Sequence, residues 1–196
     1  MHAQPTFDDR IGLRAPVLFA ITILLGMGLA YSLAGSALTR MLFPQQAAGS
    51  LIERNGQVVG SALLAQPFAD ARYFQPRPSA ANYDPMAAAG SNQARSNPDL
   101  RKRIEDAIAA VAARDGIAAS AVPIELVTQS GGGLDPHITP AGAQVQVARV
   151  ARARGIDEAR VAALVAEQTE GRQFGLLGQP RVNVLALNLA LDTLKR

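Results

Sequence analysis

An unbroken apolar run limits what this chain can become more than any other stretch does. From Ala15 to Thr39 no side chain carries a charge, and Arg14 and Arg40 close the run at its two ends. A bilayer core about 30 Å thick is crossed by roughly 20 apolar residues in a helix. The run has 25, enough to span it. Lipid gives a bare amide no hydrogen-bond partner, so the segment must be helical there. Its Val, Leu, Ile and Phe residues favour insertion by about 0.3–0.6 kcal/mol each. A cleaved signal peptide is the competing reading. Arg10 and Arg14 would begin it, and Gly35-Ser36-Ala37 would offer a cleavage site. The apolar centre of a signal peptide runs roughly 7–15 residues. This run is longer, which favours an uncleaved anchor. The expected order is a tail over residues 1–14, a transmembrane helix over 15–39 and one water-soluble portion over 40–196.

Residues 40–196 contain no second run long enough to cross a bilayer. They are enough for a single buried core. The net charge of +3 is spread along the chain, and 17 of the 19 basic residues are Arg. No Lys/Arg cluster of the kind that marks a nucleic-acid surface is present. With no Cys there is no disulfide, thiolate zinc site or thiol nucleophile. Orientation is close to a tie. Arg10 and Arg14 precede the span, while Arg40 and Arg54 follow it, so the positive-inside rule only leans towards a short tail inside.

Residues 1–13 form a polar tail, expected to be poorly ordered. Within the span, Gly26, Ala30 and Ala34 recur every four residues on one helical face, and Gly28, Ser32 and Ser36 form a second row. Small residues at that spacing let another helix approach closely; they are also simply common in membrane helices. Pro44 ends the helix. Residues 50–66 read as a hairpin turning at Asn55-Gly56. Residues 67–97 are rich in Pro, Asn, Ser and Gly. Their aromatics and prolines suggest a packed, ordered loop.

Asn97 caps a helix from Pro98 to about Arg114, with Leu100, Ile104, Ile108 and Val111 on its apolar face. Residues 122–128 alternate as a strand would. Thr139 caps a helix from Pro140 to Arg154, closed by Gly155. Asp157 caps another to about Glu170, with Ile156 and Val161 as a hydrophobic staple. Arg181-Val182-Asn183 reads as a short strand, and Asn183 caps a last helix over 184–195. The fold class is therefore α+β: one transmembrane helix, then a single mixed domain.

Three groups could carry chemistry. Ser130-Gly131-Gly132-Gly133 could cradle a phosphate with backbone amides. A Walker loop would continue with Lys and Ser or Thr, but Leu134-Asp135-Pro136 follows, so a structural turn is the better reading. Asp135 and His137 could pair as a base and its orienter in a hydrolase. No Gly-x-Ser-x-Gly elbow supplies a nucleophile, and backbone bonding in the turn is favoured. His2 is the only other histidine, which leaves no multi-histidine metal site. Arg149, Arg152 and Arg154 are expected on a solvated helix face. Arg72 and Arg77 are expected to stack on Tyr73 or Phe74.

The order of several stretches is specific in a way no one of them is. Phe68-Ala69-Asp70-Ala71-Arg72-Tyr73-Phe74 precedes Arg77-Pro78-Ser79-Ala80, and Gly90-Ser91-Asn92 precedes Ser96-Asn97-Pro98. The glycine run continues as Leu134-Asp135-Pro136-His137-Ile138. Gln146-Val147-Ala148-Arg149-Val150-Ala151, Thr169-Glu170-Gly171-Arg172 and Pro180-Arg181-Val182-Asn183-Val184-Leu185 follow. Behind one N-terminal span, this set resembles the C subunit of the bacterial Kdp potassium-transporting ATPase, over about Ala15 to Asp192. The resemblance implies an accessory, non-catalytic subunit of a bacterial inner-membrane complex, with its soluble domain in the periplasm. It implies three partners: a channel-like potassium-binding subunit, a P-type ATPase subunit and a small one-helix subunit. It also implies a higher ATP affinity of the ATPase subunit, with Gln146 at the proposed nucleotide contact near Ser130, Gly131 and Gly132. An anchored periplasmic binding module, or a hydrolase using Asp135 and His137, is the alternative.

Overall fold

A computed structural model describes residues 12–194, which fall into two units that part after Ser50. The expectations for residues 1–11, His2 among them, and for Lys195 lie outside the described residues.

The first unit is dominated by one apolar helix, Arg14–Leu42, of 29 residues. It is the one helix among the described residues long and apolar enough to cross a membrane. Its two α-helical parts, α1 (Arg14–Ile23) and α2 (Tyr31–Leu42), flank a π-helical segment, Leu24–Ala30. There Tyr31 donates its N–H to the Gly26 carbonyl, five residues back. The row Gly26, Ala30 and Ala34 therefore passes through a wider turn than a regular α-helix has. Pro44 ends the helix as expected, with Phe43 leaving helical geometry at φ −135°. The same proline then opens a single further turn, α3 (Pro44–Ala47).

The second unit begins with a hairpin of β1 (Leu51–Arg54) and β2 (Gln57–Ser61). Asn55 and Gly56 both have positive φ, 54° and 75°, as a tight two-residue turn requires. A three-stranded antiparallel sheet has the order β3 (His137–Ile138), β5 (Arg181–Asn183), β4 (Thr169–Glu170). Around it lie α4 (Pro98–Asp115), α5 (Pro140–Gln144), α6 (Val147–Arg154), α7 (Glu158–Glu167) and α8 (Val184–Thr193). The caps are local chemistry. The side chains of Asn97, Thr139, Asp157 and Asn183 each accept a backbone N–H in the first turn they precede. Ile138, Val150, Val161, Val182, Leu187 and Leu191 make the middle of the core.

Three sequence expectations fail here. Residues 122–128 are not a strand; they hold one 3₁₀ turn, Ile124–Leu126, which follows another at Ala119–Ala121. Pro123 has no N–H for a ladder, and adjacent Leu126 and Val127 are both buried, which no alternating strand allows. The helix over 140–154 is two helices. It tightens at Val145-Gln146, where the Gln146 N–H bonds the carbonyl three residues back, at Ala143. The helix capped by Asp157 stops at Glu167, because Thr169 and Glu170 leave it to pair with β5.

Candidate functional site

Residues 67–97 contain one 3₁₀ turn, Pro85–Ala87, and otherwise no regular structure, yet Phe74 within them is fully buried. Buried backbone amides and carbonyls need partners. Among the described residues no strand pairs with residues 71–75. Side chains from α6 and α8 take its place.

Asn188 sits midway along the apolar helix α8. Its side-chain oxygen accepts the Phe74 N–H at 2.8 Å and its amide donates to the Phe74 carbonyl at 3.0 Å. Gln146 does the same one residue on. It accepts the Gln75 N–H at 2.8 Å and donates to the Gln75 carbonyl at 3.1 Å. Arg149, one turn along α6, donates to the carbonyls of Ala71 and Tyr73 and to the Gln146 oxygen. Its Nε donates to Asp115 at 2.7 Å, and Arg114 grips the other Asp115 oxygen at 2.6 Å. Asp115 closes α4. The clamp thus ties three helices to one loop.

Arg149 is only 8% exposed and Gln146 is 0% exposed. The expected solvated face of Arg149, Arg152 and Arg154 is corrected at two of three positions. Only Arg152 is exposed. Burial pushes the Arg149 guanidinium down from its ordinary value, against the pull of Asp115. It stays charged nonetheless, because a guanidinium does not lose its proton in a protein. Arg154 bonds Asp192 at 2.8 Å and lies 4.8 Å over the Tyr73 ring. Neither Arg72 nor Arg77 is the stacked cation. Arg72 pairs with Asp70, and Arg77 with Asp135.

The glycine run is a packing device on the other side of the loop. The Ser130 N–H donates to the Pro78 carbonyl at 3.3 Å, and its buried hydroxyl accepts the Asp135 N–H at 3.5 Å. A Cβ on Gly133, which holds φ +72°, would come within 2.7 Å of the Ala89 carbonyl oxygen. One on Gly90 would meet the Gly131 oxygen at 2.6 Å. Two backbones touch here, and only glycine fits at these two positions. Gly131 and Gly132 are exposed. Gln146 and Ser130 thus hold the same loop at two points, Gln75 and Pro78, and share no partner.

Asp135 bonds the backbone N–H of His137 at 3.0 Å, and the imidazole Nδ1 lies 3.5 Å away. Burial raises the Asp135 carboxyl, but the bonds from His137 and Arg77 outweigh it and hold it below the ordinary value. The hydroxyls of this neighbourhood are engaged. Ser130 is 4% exposed, and Thr139 donates to Glu125 at 2.7 Å while capping α5. The described residues contain no metal-binding group of acidic, His or Cys side chains.

Sequence reasoning missed Asp115, Asn188 and Asp192. A lone Asn inside Val184-Leu185-Ala186-Leu187-Asn188-Leu189-Ala190-Leu191 was the one visible signal, since a buried amide needs partners.

The family model described as the K+-transporting ATPase c chain, KdpC, matches residues 13–193. The chain belongs to the KdpC family. A Xanthomonas campestris pv. campestris (strain B100) protein named potassium-transporting ATPase KdpC subunit is 66% identical over 188 residues, covering 96% of this chain and 90% of its own. Its namesake in Sorangium cellulosum (strain So ce56) is 54% identical over 90% of this chain and 95% of its own. One in Shewanella putrefaciens (strain CN-32 / ATCC BAA-453) is 48% identical over all of this chain and 96% of its own.

In this KdpC chain, Asp192 is a second knot under the loop. It accepts from Arg54, Arg154 and the Tyr73 hydroxyl at 2.7, 2.8 and 3.2 Å. Burial pushes its carboxyl up, but hydrogen bonds from Arg154 and Arg54, the Arg154 charge and Tyr73 win, and it titrates below its ordinary value. A depressed carboxylate adds stability above its unfolded value, about 3.9, and loses it as pH falls through the folded one. Asp192→Asn should therefore cost about 1.5–3 kcal/mol at neutral pH, the scale of hydrogen bonds to a charged group. The difference from the parent should vanish in strong acid. Denaturant midpoints across pH check both halves.

Proposed function

We propose that this chain is an accessory, non-catalytic subunit of an ATP-driven potassium uptake complex in a bacterial inner membrane. The observation that carries this is the KdpC family match over residues 13–193, whose relatives are named potassium-transporting ATPase subunits. In this reading residues 1–14 are a cytoplasmic tail and the apolar helix crosses the bilayer once. The domain over residues 40–196 faces the periplasm beside the channel-like potassium-binding subunit, near ion entrance. The other partners are a P-type ATPase subunit and a small one-helix subunit. Gly26, Ala30 and Ala34 give a neighbouring membrane helix a close approach.

Gln146 acts here as a positioning residue. All its polar side-chain atoms are occupied, by Gln75, Arg149 and Gly142. Any influence on ATP affinity then travels through assembly, with no nucleotide held between Gln146, Ser130, Gly131 and Gly132. The Asp135–His137 pair supports a turn and no hydrolysis.

The test is affinity capture of the tagged full chain in mild detergent from cells expressing its whole operon. An ATPase and a channel-like protein should come with it in fixed proportion. Gly26→Leu together with Ala30→Leu should weaken the capture, while His137→Ala should not. Recovery of the tagged chain by itself would sink the proposal.

A further inference from the structure

The connection between β4 and β5 projects from the sheet as a short finger, residues 171–180. Its shape is fixed. Gln173 and Leu177 exchange two backbone hydrogen bonds of 2.9 Å, and the Gly175 N–H donates to the Arg172 carbonyl at 3.0 Å. Its base is closed by the Arg181–Glu170 ion pair at 2.7 Å. On this frame Phe174, Leu176 and Leu177 stand 83%, 79% and 63% exposed. Phe174 holds φ +54°, a left-handed bend that a bulky side chain rarely occupies. Such strain persists where the surrounding structure imposes it, and it gathers at binding segments. Three large apolar side chains on a rigid tip are an interaction surface.

Two features point to what covers it. The finger contains no acidic residue, its one charge is Arg172, and the acid beside it, Glu170, is already paired. An apolar tip with one cation beside it and no acid of its own suits a bilayer whose headgroups are anionic. The finger's base also lies close to where the domain is tied to its membrane helix. Leu51, the first domain residue, pairs with Ser61. The next carbonyl, Ala62, accepts from Asn183 of β5 at 2.8 Å, two residues from the finger's base at Arg181.

We propose that residues 172–177 dip into the outer headgroup layer of an anionic phospholipid bilayer, a second membrane contact beside the spanning helix. Phe174, Leu176 and Leu177 enter the boundary between headgroups and acyl chains, and Arg172 meets lipid phosphate. This rests on the reading that Arg14–Leu42 spans the membrane.

The chain has no Trp, so one introduced Trp reports alone. Full-length Phe174→Trp, Met86→Trp and Phe19→Trp would each be placed in nanodiscs containing brominated acyl chains, with neutral or phosphatidylglycerol-rich lipid. Phe174→Trp should emit at shorter wavelength than Met86→Trp and lose most of its emission to bromine, more so in the anionic lipid. Met86→Trp, at a 92% exposed position, should remain unquenched. Phe19→Trp, inside the span, should be quenched in both lipids. A quenched Phe19→Trp with an unquenched Phe174→Trp overturns the finger contact and leaves the span intact. Equal quenching in both lipids overturns the anionic assignment. A Phe174→Trp that shifts only in the assembled complex, without bromine quenching, overturns lipid in favour of a protein neighbour. An unquenched Phe19→Trp removes the spanning reading and this proposal together.

Discussion

Arg149→Ala is expected to cost the domain about 3–5 kcal/mol, the scale for removing one member of a buried ion pair. That is a large share of the roughly 5–15 kcal/mol by which domains are stable. The loss has two parts. Asp115, whose side chain is fully buried, keeps only Arg114, and the carbonyls of Ala71 and Tyr73 lose their donor inside the protein. Arg149→Lys keeps the charge but not the planar fork, which here reaches Asp115, Gln146 and two carbonyls at once. It should fall between the two. The double change Asp115→Leu and Arg149→Met discriminates further. Apolar replacement of a buried ion pair is often harmless, but here the two loop carbonyls stay unpaired, so stability should not return to the parent level. Urea unfolding of the full chain in detergent, followed by circular dichroism, measures the three variants against the parent. Full recovery in the double variant would show that the ion pair serves itself and not the loop.

Phe74→Ala is expected to cost about as much, roughly 3–5 kcal/mol for a fully buried Phe cut to Ala. Its consequence is more local. Phe74 is the one large apolar side chain of the loop that sits wholly in the core. Without it the Asn188 clamp has to hold an emptied site. Trypsin should then cut after Arg72 well before it attacks α6 or α7; Arg77, followed by Pro78, is not a trypsin site. Phe74→Leu, which keeps much of the volume, should cost less and protect the loop. Because Phe74 and Asn188 touch, their effects should not add. If the alanine variant unfolds globally before any loop cleavage, the loop and core form one cooperative unit.

What could be read from the sequence was mostly local. The turn at Asn55-Gly56 needs only two residues that tolerate positive φ. The helix starts at Asn97, Thr139, Asp157 and Asn183 need only a short polar side chain facing free amides. The apolar run needs only length. The failures lie where distant residues decide. Residues 122–128 have a strand's alternation, but no neighbouring strand waits for them, and Pro123 helps turn the chain. Arg149 shares its helix with Arg152 and Arg154 and looks no different from them. Asp115, in another helix, is what makes it a buried residue. The glycines of 130–133 look like a phosphate cradle until Ala89 and Gly90 are seen lying against them.

The clamp on residues 71–75 also bears on how the domain comes together. Every side chain in it, from Asp115 to Asn188, follows the loop in the sequence, and Asp192 anchors Tyr73 from close to the last described residue. During synthesis the loop leaves the ribosome long before anything exists to secure it. Contacts that far apart are slow to form. The early part of the domain therefore waits, with Phe74 uncovered, until α8 arrives, so its core closes in one late step.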